Sequence, residues 1–279
     1  MKRKTLILLL VAAILLIAFI IWMIWGNTAI TVSEFTVDSD DLPDAFSGFR
    51  ICQVSDLHNA EFGKENERLI NAIKNAEPDI IVLTGDLVDR SRTDLDIAVS
   101  FAKRAVEIAP TYYVSGNHEA SLSEEMYAEL KERLLSAGVI LLENGSVNVE
   151  RDGECIRLIG LNDQNFGYIH SNEELTELMG DTEFFSLLLT HRPKDFAQYA
   201  TCGFDLVLSG HLHGGQFRLP LLGGLYAPSY GFFPDYDGGI YEREESVMIV
   251  SRGMGNSSFP IRFNNPPELV VVELESGGN

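Results

Sequence analysis

Residues 49–58 read Phe49-Arg50-Ile51-Cys52-Gln53-Val54-Ser55-Asp56-Leu57-His58, an apolar run that ends in a carboxylate and an imidazole. Four further apolar runs, at residues 80–84, 111–114, 186–189 and 206–208, also end in polar clusters: Gly85-Asp86-Leu87-Val88-Asp89-Arg90, Gly116-Asn117-His118-Glu119, Thr190-His191 and Gly210-His211-Leu212-His213. Short apolar runs bounded by turn residues predict buried strands. Open α/β sheets build their sites just beyond the carboxyl ends of strands. The sequence therefore predicts an α/β domain with one polar site assembled from five loops.

Helical patterns separate these strands, as expected for an α/β domain. Helices are predicted over residues 65–76, 95–108, 124–137, 172–179 and 193–200. Ser121 with Glu124 resembles a capping box at the start of the third helix. Asn144-Gly145 and Asp152-Gly153 predict hairpin turns between the strands at 139–142, 147–150 and 156–161. Without repeats or a composition break, one domain of roughly 250 residues is predicted.

The amino-terminal segment predicts a membrane anchor. Residues 6–25 form an uninterrupted apolar run of 20 residues, which as a helix spans the ~30 Å hydrocarbon core of a bilayer. A cleaved signal peptide, the alternative, has a shorter apolar stretch of roughly 7–15 residues. Trp22 and Trp25, the only tryptophans, lie at the far end, where interfacial aromatic residues are enriched.

Charge predicts the orientation of this anchor and one class of partner. Lys2, Arg3 and Lys4 precede the apolar run, so we expect the amino terminus in the cytoplasm and the remaining chain outside, as a single-pass protein of the cell membrane. The whole chain has a net charge of -20, and its first 25 residues contain no acidic side chain. We therefore expect no nucleic-acid partner.

The residue types in the five clusters are those of a transition-metal site. Carboxylate oxygens and neutral imidazole nitrogens suit Zn, Fe, Mn or Ni better than Ca. Asp86 offers two oxygens, enough to bridge two ions ~3.5–4 Å apart. Taken singly, Asp-x-His is a common pattern, and a lone residue such as His191 is usually structural. The five clusters together supply ligands for two divalent ions and leave one histidine for proton transfer.

The order of these motifs resembles the calcineurin-like metallophosphoesterase superfamily over about residues 49–273. Gly210-His211-Leu212-His213-Gly214-Gly215-Gln216, with the amino-terminal membrane segment, is similar to the membrane-associated bacterial phosphodiesterase branch. The resemblance implies a four-layer αββα sandwich with metals at one end of its two sheets, preceded by one transmembrane helix. The predicted organisation is an anchor at residues 1–26, a linker and lead-in strand at 27–48, and a catalytic domain at 49–279.

The resemblance also implies a role for each site residue. One metal ion would be held by Asp56, His58, Asp86 and His213, and the other by Asp86, Asn117, His191 and His211. His118 corresponds to the family's proton donor and Asp89 to its acidic partner. Arg90 corresponds to a phosphate-contacting arginine, although Ser91 follows where the phosphatase branch has glycine.

The expected function is metal-dependent hydrolysis of a phosphate ester. A phosphodiesterase acting on an envelope or lipid-linked substrate is predicted, with two divalent ions whose identity stays open. The apolar residues 219–225 and Phe232-Phe233 either pad the core or line a groove for an apolar leaving group. The alternatives are a phosphomonoesterase of the same fold and a non-catalytic metal-binding membrane protein. The oligomeric state is not predicted.

Overall fold

The computed structural model describes residues 3–180, 184–228, 230–257 and 259–277. Its α-helices are α1 (Arg3–Thr28), α2 (Glu67–Asn75), α3 (Leu95–Val106), α4 (Glu124–Ser136), α5 (Asn172–Met179) and α6 (Phe196–Cys202). Each of the five predicted helices is present within a few residues of its predicted ends. Met1 and Lys2, the latter part of the orientation argument, lie outside the described residues.

Two six-stranded sheets form the centre of the protein. The first has the order β1-β16-β2-β3-β4-β5 and the second β14-β15-β9-β8-β7-β6. The strands of the first sheet are β1 (Thr31–Ser39), β2 (Phe49–Val54), β3 (Ile80–Thr84), β4 (Thr111–Val114), β5 (Ile140–Leu141) and β16 (Glu268–Ser276). Those of the second are β6 (Gly145–Arg151), β7 (Glu154–Gly160), β8 (Ser186–Leu189), β9 (Leu206–Ser209), β14 (Gly239–Arg243) and β15 (Ser246–Val250). Between β9 and β14 lie two small hairpins, formed by β10 (Arg218–Leu219) with β11 (Gly223–Gly224) and by β12 (Tyr226–Ala227) with β13 (Gly231–Phe232).

The burial pattern defines four layers. In β3, Ile80 and Val82 face the core between the two sheets, while Ile81 and Leu83 face the helices α2, α3 and α4. In β9, Leu206 and Leu208 enter the same central core, and Val207 packs with α5 and α6. Successive strand residues point to opposite faces, so these fully apolar runs are buried on both sides. The predicted αββα sandwich is confirmed.

The strand directions bring the five clusters to one edge of the sandwich. β2, β3 and β4 are mutually parallel in the first sheet, and β8 and β9 are parallel in the second. All five predicted clusters follow directly on the last residues of these strands. The prediction that the polar groups lie beyond strand ends is therefore confirmed.

The amino-terminal helix lies outside the four layers. α1 is long and apolar enough to cross a membrane, and none of its residues is buried in the fold. Only two residues separate its end at Thr28 from the start of β1 at Thr31. β1 pairs in parallel with β16 along its whole length, so the expected lead-in strand is an edge strand of the first sheet.

Two local predictions were wrong. Asn144-Gly145 does not form a hairpin, because β5 and β6 belong to different sheets and the chain crosses between them at this point. Ser121 does not cap α4: its hydroxyl donates to the carbonyl of Asn117, and Ser123 accepts from the backbone of Met126 instead. Asp152-Gly153 does form the β6–β7 hairpin turn.

Candidate metal centre

The predicted ligands sit on tightly constrained backbone. Asp56, His58, Asp86, His211 and His213 all have positive φ, between 47° and 76°. For residues other than glycine this region is unusual, and it persists where surrounding structure enforces it, often at functional sites. The constraint turns each side chain inward immediately after its strand.

Two of the preceding glycines are required by close approach. A Cβ added to Gly116 would lie 2.2 Å from Oδ1 of Asp86, and one added to Gly210 would lie 2.4 Å from Oδ2 of Asp56. Real Cβ atoms essentially never come within 3.0 Å of another heavy atom in this way. Gly116 therefore lets two loops of the first sheet approach each other, and Gly210 lets a loop of the second sheet meet one of the first.

One cluster consists of Asp56, His58 and His213. The Nε2 atoms of the two histidines are 3.0 Å apart. Oδ1 of Asp56 lies 3.4 Å from Nε2 of His213 and 3.8 Å from Nε2 of His58. All three side chains are buried, and their donor atoms converge on one point.

A second cluster consists of Asp86, His191 and His211, with Asn117 beside it. Nε2 of His191 lies 3.2 Å from Oδ2 of Asp86, 3.1 Å from Nδ1 of His211 and 3.2 Å from Oδ1 of Asn117. Nδ1 of His191 donates to the carbonyl of Thr84 at 2.8 Å. Because that bond places the ring hydrogen on Nδ1, the lone pair of Nε2 points at the cluster.

Asp86 links the two clusters. Its Oδ2 lies 3.6 Å from Nε2 of His58 and 3.2 Å from Nε2 of His191. The sequence prediction that this carboxylate serves both halves of the site is consistent with these distances. The structure thus brings together all seven predicted ligands, contributed by both sheets.

The unmatched polar atoms fit a pair of cations. Among the described residues, Oδ1 of Asp56, which faces the two histidines of the first cluster, is buried without a hydrogen-bond partner. Two imidazole nitrogens facing each other at 3.0 Å also require a shared proton or cation between them. Buried polar groups normally have partners, so this donor set suits divalent ions of the imidazole- and carboxylate-binding type.

Electrostatics favour the metal-binding protonation state for only part of this set. Burial lowers the pKa of His58 and of His191, but the Asp56 and Asp86 carboxylates raise both more, that of His191 to about 10, so a metal ion would have to displace their protons. Burial raises the pKa of the Asp86 carboxyl, but the neighbouring His191 and His58 lower it more, so the pKa falls below its usual range. Burial lowers the pKa of His213 to about 3, outweighing the attraction of Asp56. Burial also holds the pKa of His211 well below its usual value. Ionised carboxylates beside neutral imidazoles are the protonation states in which these residues bind metals.

His118 lies against both clusters. Its ring is 4.4 Å from that of His58, and its backbone N–H donates to Oδ1 of Asp86. Nδ1 accepts from the backbone N–H of Arg90 at 3.1 Å, and Nε2 lies 3.2 Å from the hydroxyl of Ser257. Burial lowers the pKa of His118 to about 4. In this arrangement the imidazole is neutral and carries its hydrogen on Nε2.

The expected contact between Asp89 and His118 is not present among the described residues. The Asp89 carboxylate accepts from the backbone of Ser91 and from the side chain of Arg92 instead. Asp89 still acts on His118 through its charge, which favours the imidazolium. The ring is positioned instead by the backbone N–H of Arg90, which donates to Nδ1 of His118 because the turn after β3 places this N–H against the ring.

A cavity of about 230 Å³ opens onto these groups. Arg90 and Arg192 line it together with His118, Asn117 and His211. The Arg192 guanidinium is held by Asp163 through two bonds, at 2.6 and 3.1 Å. The cavity therefore combines the metal-ligand set with two cationic side chains, a composition suited to an anionic oxyacid.

Several residues that shape the site were not among those predicted from the sequence. The Glu119 carboxylate accepts from the backbone of Asp86, Val88 and Gly116, so it fastens two ligand loops together. Glu119 follows His118 directly, and its position in the motif was the available signal. Arg192 likewise adjoins a ligand, whereas Ser257 lies in a glycine- and serine-rich loop without a distinguishing pattern.

The fold and the site together define a class, the two-sheet hydrolases whose strand ends carry ligands for a pair of metal ions. Residues 49–215 match the calcineurin-like phosphoesterase model, and the chain belongs to this family. The family prediction is confirmed, and the chain is a phosphoesterase by its membership.

Similar proteins agree with this assignment. The chain is 30% identical over 253 residues to the uncharacterized metallophosphoesterase YkuE of Bacillus subtilis, covering 88% of this chain and 86% of that protein. It is 28% identical to the phosphodiesterase YaeI of Escherichia coli, covering 83% and 84%. It is 29% identical to a zebrafish (Danio rerio) transmembrane protein with a metallophosphoesterase domain, covering 88% of this chain and 57% of that protein.

Proposed function

We propose that this protein is a dimetal-dependent phosphodiesterase that hydrolyses an envelope or lipid-linked substrate. The observation that carries the proposal is the shared position of Asp86, whose Oδ2 approaches both histidine clusters beside His118. The similarity to a protein named a phosphodiesterase supports a diester as the substrate. A non-catalytic metal-binding protein would not need a histidine that lines the cavity beside the ligands without being one of them.

The ligand set divides into two groups that share one carboxylate. One ion would be held by Asp56, His58, Asp86 and His213, and the other by Asp86, Asn117, His191 and His211. When bound, two divalent ions of Mn, Fe, Zn or Ni lower the pKa of a water molecule and neutralise charge on phosphoryl oxygens.

The remaining residues bind and orient the substrate. Arg90 and Arg192 line the cavity and can contact the phosphate, with Arg192 fixed by Asp163. Nε2 of His118 faces the cavity and can give a proton to the leaving alkoxide. Because the neutral ring predominates and its Nδ1 accepts from the Arg90 N–H, protonation of Nδ1 would break that bond, and the negative charge of the phosphate must stabilise the imidazolium. Asp89 would add to that stabilisation through its charge.

We also propose the membrane arrangement. Residues 1–26 would form a single-pass anchor with the amino terminus in the cytoplasm, joined through residues 27–48 to a catalytic domain at 49–279 outside. Arg3 and Lys4 at the start of α1, and the apolar character of that helix, support this topology. The acidic chain is not suited to a nucleic-acid substrate.

The test uses full-length protein purified without chelator. We expect about two transition-metal ions per chain and faster hydrolysis of diesters than of matched monoesters. Asp86→Asn should lose both ions or nearly all activity. Asp152→Asn is the matched control, since Asp152 has a nearly identical φ of 51° but lies in the exposed β6–β7 turn.

Three results would count against parts of the proposal. Metal-free protein whose activity is indifferent to chelators would contradict the metal centre. Activity on monoesters alone would identify a phosphomonoesterase. Bound metal without hydrolysis of either diesters or monoesters would indicate a non-catalytic metal-binding protein.

A further inference from the structure

The predicted metal ligands and the anchor helix are joined through one buried residue, Arg262. The guanidinium Nη2 of Arg262 lies 3.3 Å from Nδ1 of His213. The backbone of Arg262 donates to Oδ1 of Asn27 at 2.7 Å and accepts from its Nδ2 at 3.0 Å. Asn27 belongs to the last turn of α1. One residue therefore contacts both a predicted metal ligand and the end of the anchor.

The contacts of α1 bring the domain to the level of the membrane interface. The ring of Trp22 packs edge-on against Phe263, with centroids 4.9 Å apart. Trp22 is three residues before the end of the apolar run, about 4.5 Å along a helix that rises 1.5 Å per residue. Tryptophan is favoured at the membrane interface, so Phe263 would lie at this depth beside it.

Exposed apolar side chains surround the same region, and we refer to them as the apolar rim: Leu221, Leu222, Phe232, Phe233, Phe259 and Ile261. Leu221 is fully exposed and Phe232 is 71% exposed, so neither fills the core. Residues 219–234 contain no charged side chain, in a chain that is 22% charged. Burial in the core, one of the two interpretations of this stretch, is wrong for these side chains.

Backbone and aromatic contacts connect the rim to both the anchor and the cavity. The backbone of Phe217 forms an isolated parallel β-bridge with that of Phe263, the partner of Trp22, and the ring of Phe217 packs against Phe259. Phe259 contacts Tyr226, which in turn packs against Phe232. Phe259 also lines the cavity that contains His118. The rim, the mouth of the cavity and the membrane end of α1 are thus one continuous region.

We infer that the apolar rim inserts into the surface of the bilayer that holds α1, so that the mouth of the metal centre opens at the membrane. The partner is the lipid itself, because the rim is apolar and uncharged while the protein as a whole is strongly acidic. As a consequence that rests on the proposed function, the substrate would be an amphiphilic phosphoester whose tail stays in the bilayer while its phosphate enters the cavity.

Depth-dependent fluorescence quenching tests the insertion. Full-length protein with Trp22→Phe and Trp25→Phe has no tryptophan, so single tryptophans can be added at Leu221 or Phe232. Leu135→Trp is the matched control, because Leu135 is also an exposed leucine but lies on α4 beside the opposite edge of the first sheet. Each variant is placed in nanodiscs whose lipids carry bromine at shallow acyl positions, within the ~5–10 Å reached by interfacial segments.

We expect blue-shifted, bromine-quenched emission from Leu221→Trp and Phe232→Trp, and neither effect from Leu135→Trp. Quenching should persist at high salt, since the rim carries no charge. Emission at both rim positions equal to the control, or quenching abolished by salt, would overturn the inference. The measurement needs no turnover and can be repeated with Asp86→Asn, so its outcome is independent of whether the hydrolase proposal holds.

Discussion

Gly116→Ala offers a test of the site geometry that leaves every proposed ligand in place. The added Cβ would lie 2.2 Å from Oδ1 of Asp86 and 2.5 Å from its backbone nitrogen. Both atoms belong to the residue shared by the two clusters, and the loop is further fixed by Glu119. The methyl group cannot be accommodated unless the Asp86 loop or the Gly116 loop moves.

The expected loss of activity follows from how far the two loops must move to accommodate the methyl group. A separation of 3.0 Å is the closest approach that real Cβ atoms show, so the loops must separate by roughly 1 Å. A 1 Å misplacement of a reacting group costs on the order of 10²-fold in rate, or about 2.7 kcal/mol in transition-state stabilisation. We therefore expect kcat/KM for a small diester to fall about 100-fold, with reduced metal content.

Gly145→Ala is the matched control. Gly145 also has an ordinary φ, and its nearest neighbour to an added Cβ is a carbonyl oxygen 4.0 Å away. The control should keep its activity and metal, and restricting the unfolded chain stabilises such variants slightly if at all. Steady-state kinetics and elemental analysis of the two variants, with thermal unfolding as a check, measure the effect. Equal activity of the two variants would refute the argument that the Gly116–Asp86 contact sets the site.

His118→Ala should retain metal but lose ~10²–10⁴-fold in rate, with a larger loss for poor leaving groups than for a nitrophenolate. Equal losses across leaving groups would indicate a binding or structural role. Phe232→Ser with Phe233→Ser should raise KM more for an amphiphilic diester than for a small chromogenic one, and a parallel change would contradict an apolar substrate-binding role. External protease should remove the domain from intact cells while cytoplasmic markers survive, whereas protection of the domain would reverse the orientation, and a mature chain starting near Ala29 would indicate a cleaved signal.

The ligand clusters were the part of the site that could best be predicted from the sequence, because each follows a recognisable buried strand. Each ligand cluster follows a strand that is apolar on both faces, as β3 and β9 are. Such runs can be recognised without a structure because both faces of a central strand are buried in a sandwich. Parallel strand ends meet at one edge of a sheet, so the convergence of Asp56, Asp86 and Asn117, which follow the neighbouring parallel strands β2, β3 and β4, could be expected from order alone.

The sequence was less informative where the outcome depended on which of several partners a strand or a side chain meets. Asn144-Gly145 has the composition of a hairpin turn, but the choice between one sheet and two depends on which strands pair with β5 and β6. Asp89 acts on His118 through its charge and not through a direct contact, because a side chain three residues beyond a ligand can turn toward other neighbours. Local bonds to Ser91 and Arg92 decide that direction, and no periodic pattern reports them.

The residues that hold the ligands in place were harder to predict from the sequence than the ligands themselves. Glu119 and Arg262 are fully buried ionisable groups. All three partners of the Glu119 carboxyl are backbone N–H groups, and Arg262 bonds two backbone carbonyls besides the side chains of Asn256 and His213. Backbone partners have no residue identity, so nothing in the sequence marks the position that needs them. A buried charge without partners is costly, and only the folded structure shows which atoms are the hydrogen-bond partners of Glu119 and Arg262.

The division of ligands between the sheets links metal binding to folding. Asp56, His58, Asp86 and Asn117 come from loops of the first sheet, while His191, His211 and His213 come from the second. The two sets meet only when the apolar core between the sheets has formed. A ligand that binds the native state alone stabilises it by mass action, so bound metal would hold the two sheets together at the edge where glycines have removed side-chain packing. The residues that make the site would therefore also complete the sandwich, because the ions would supply the partner that the buried Oδ1 of Asp56 lacks and would join the facing Nε2 atoms of His58 and His213.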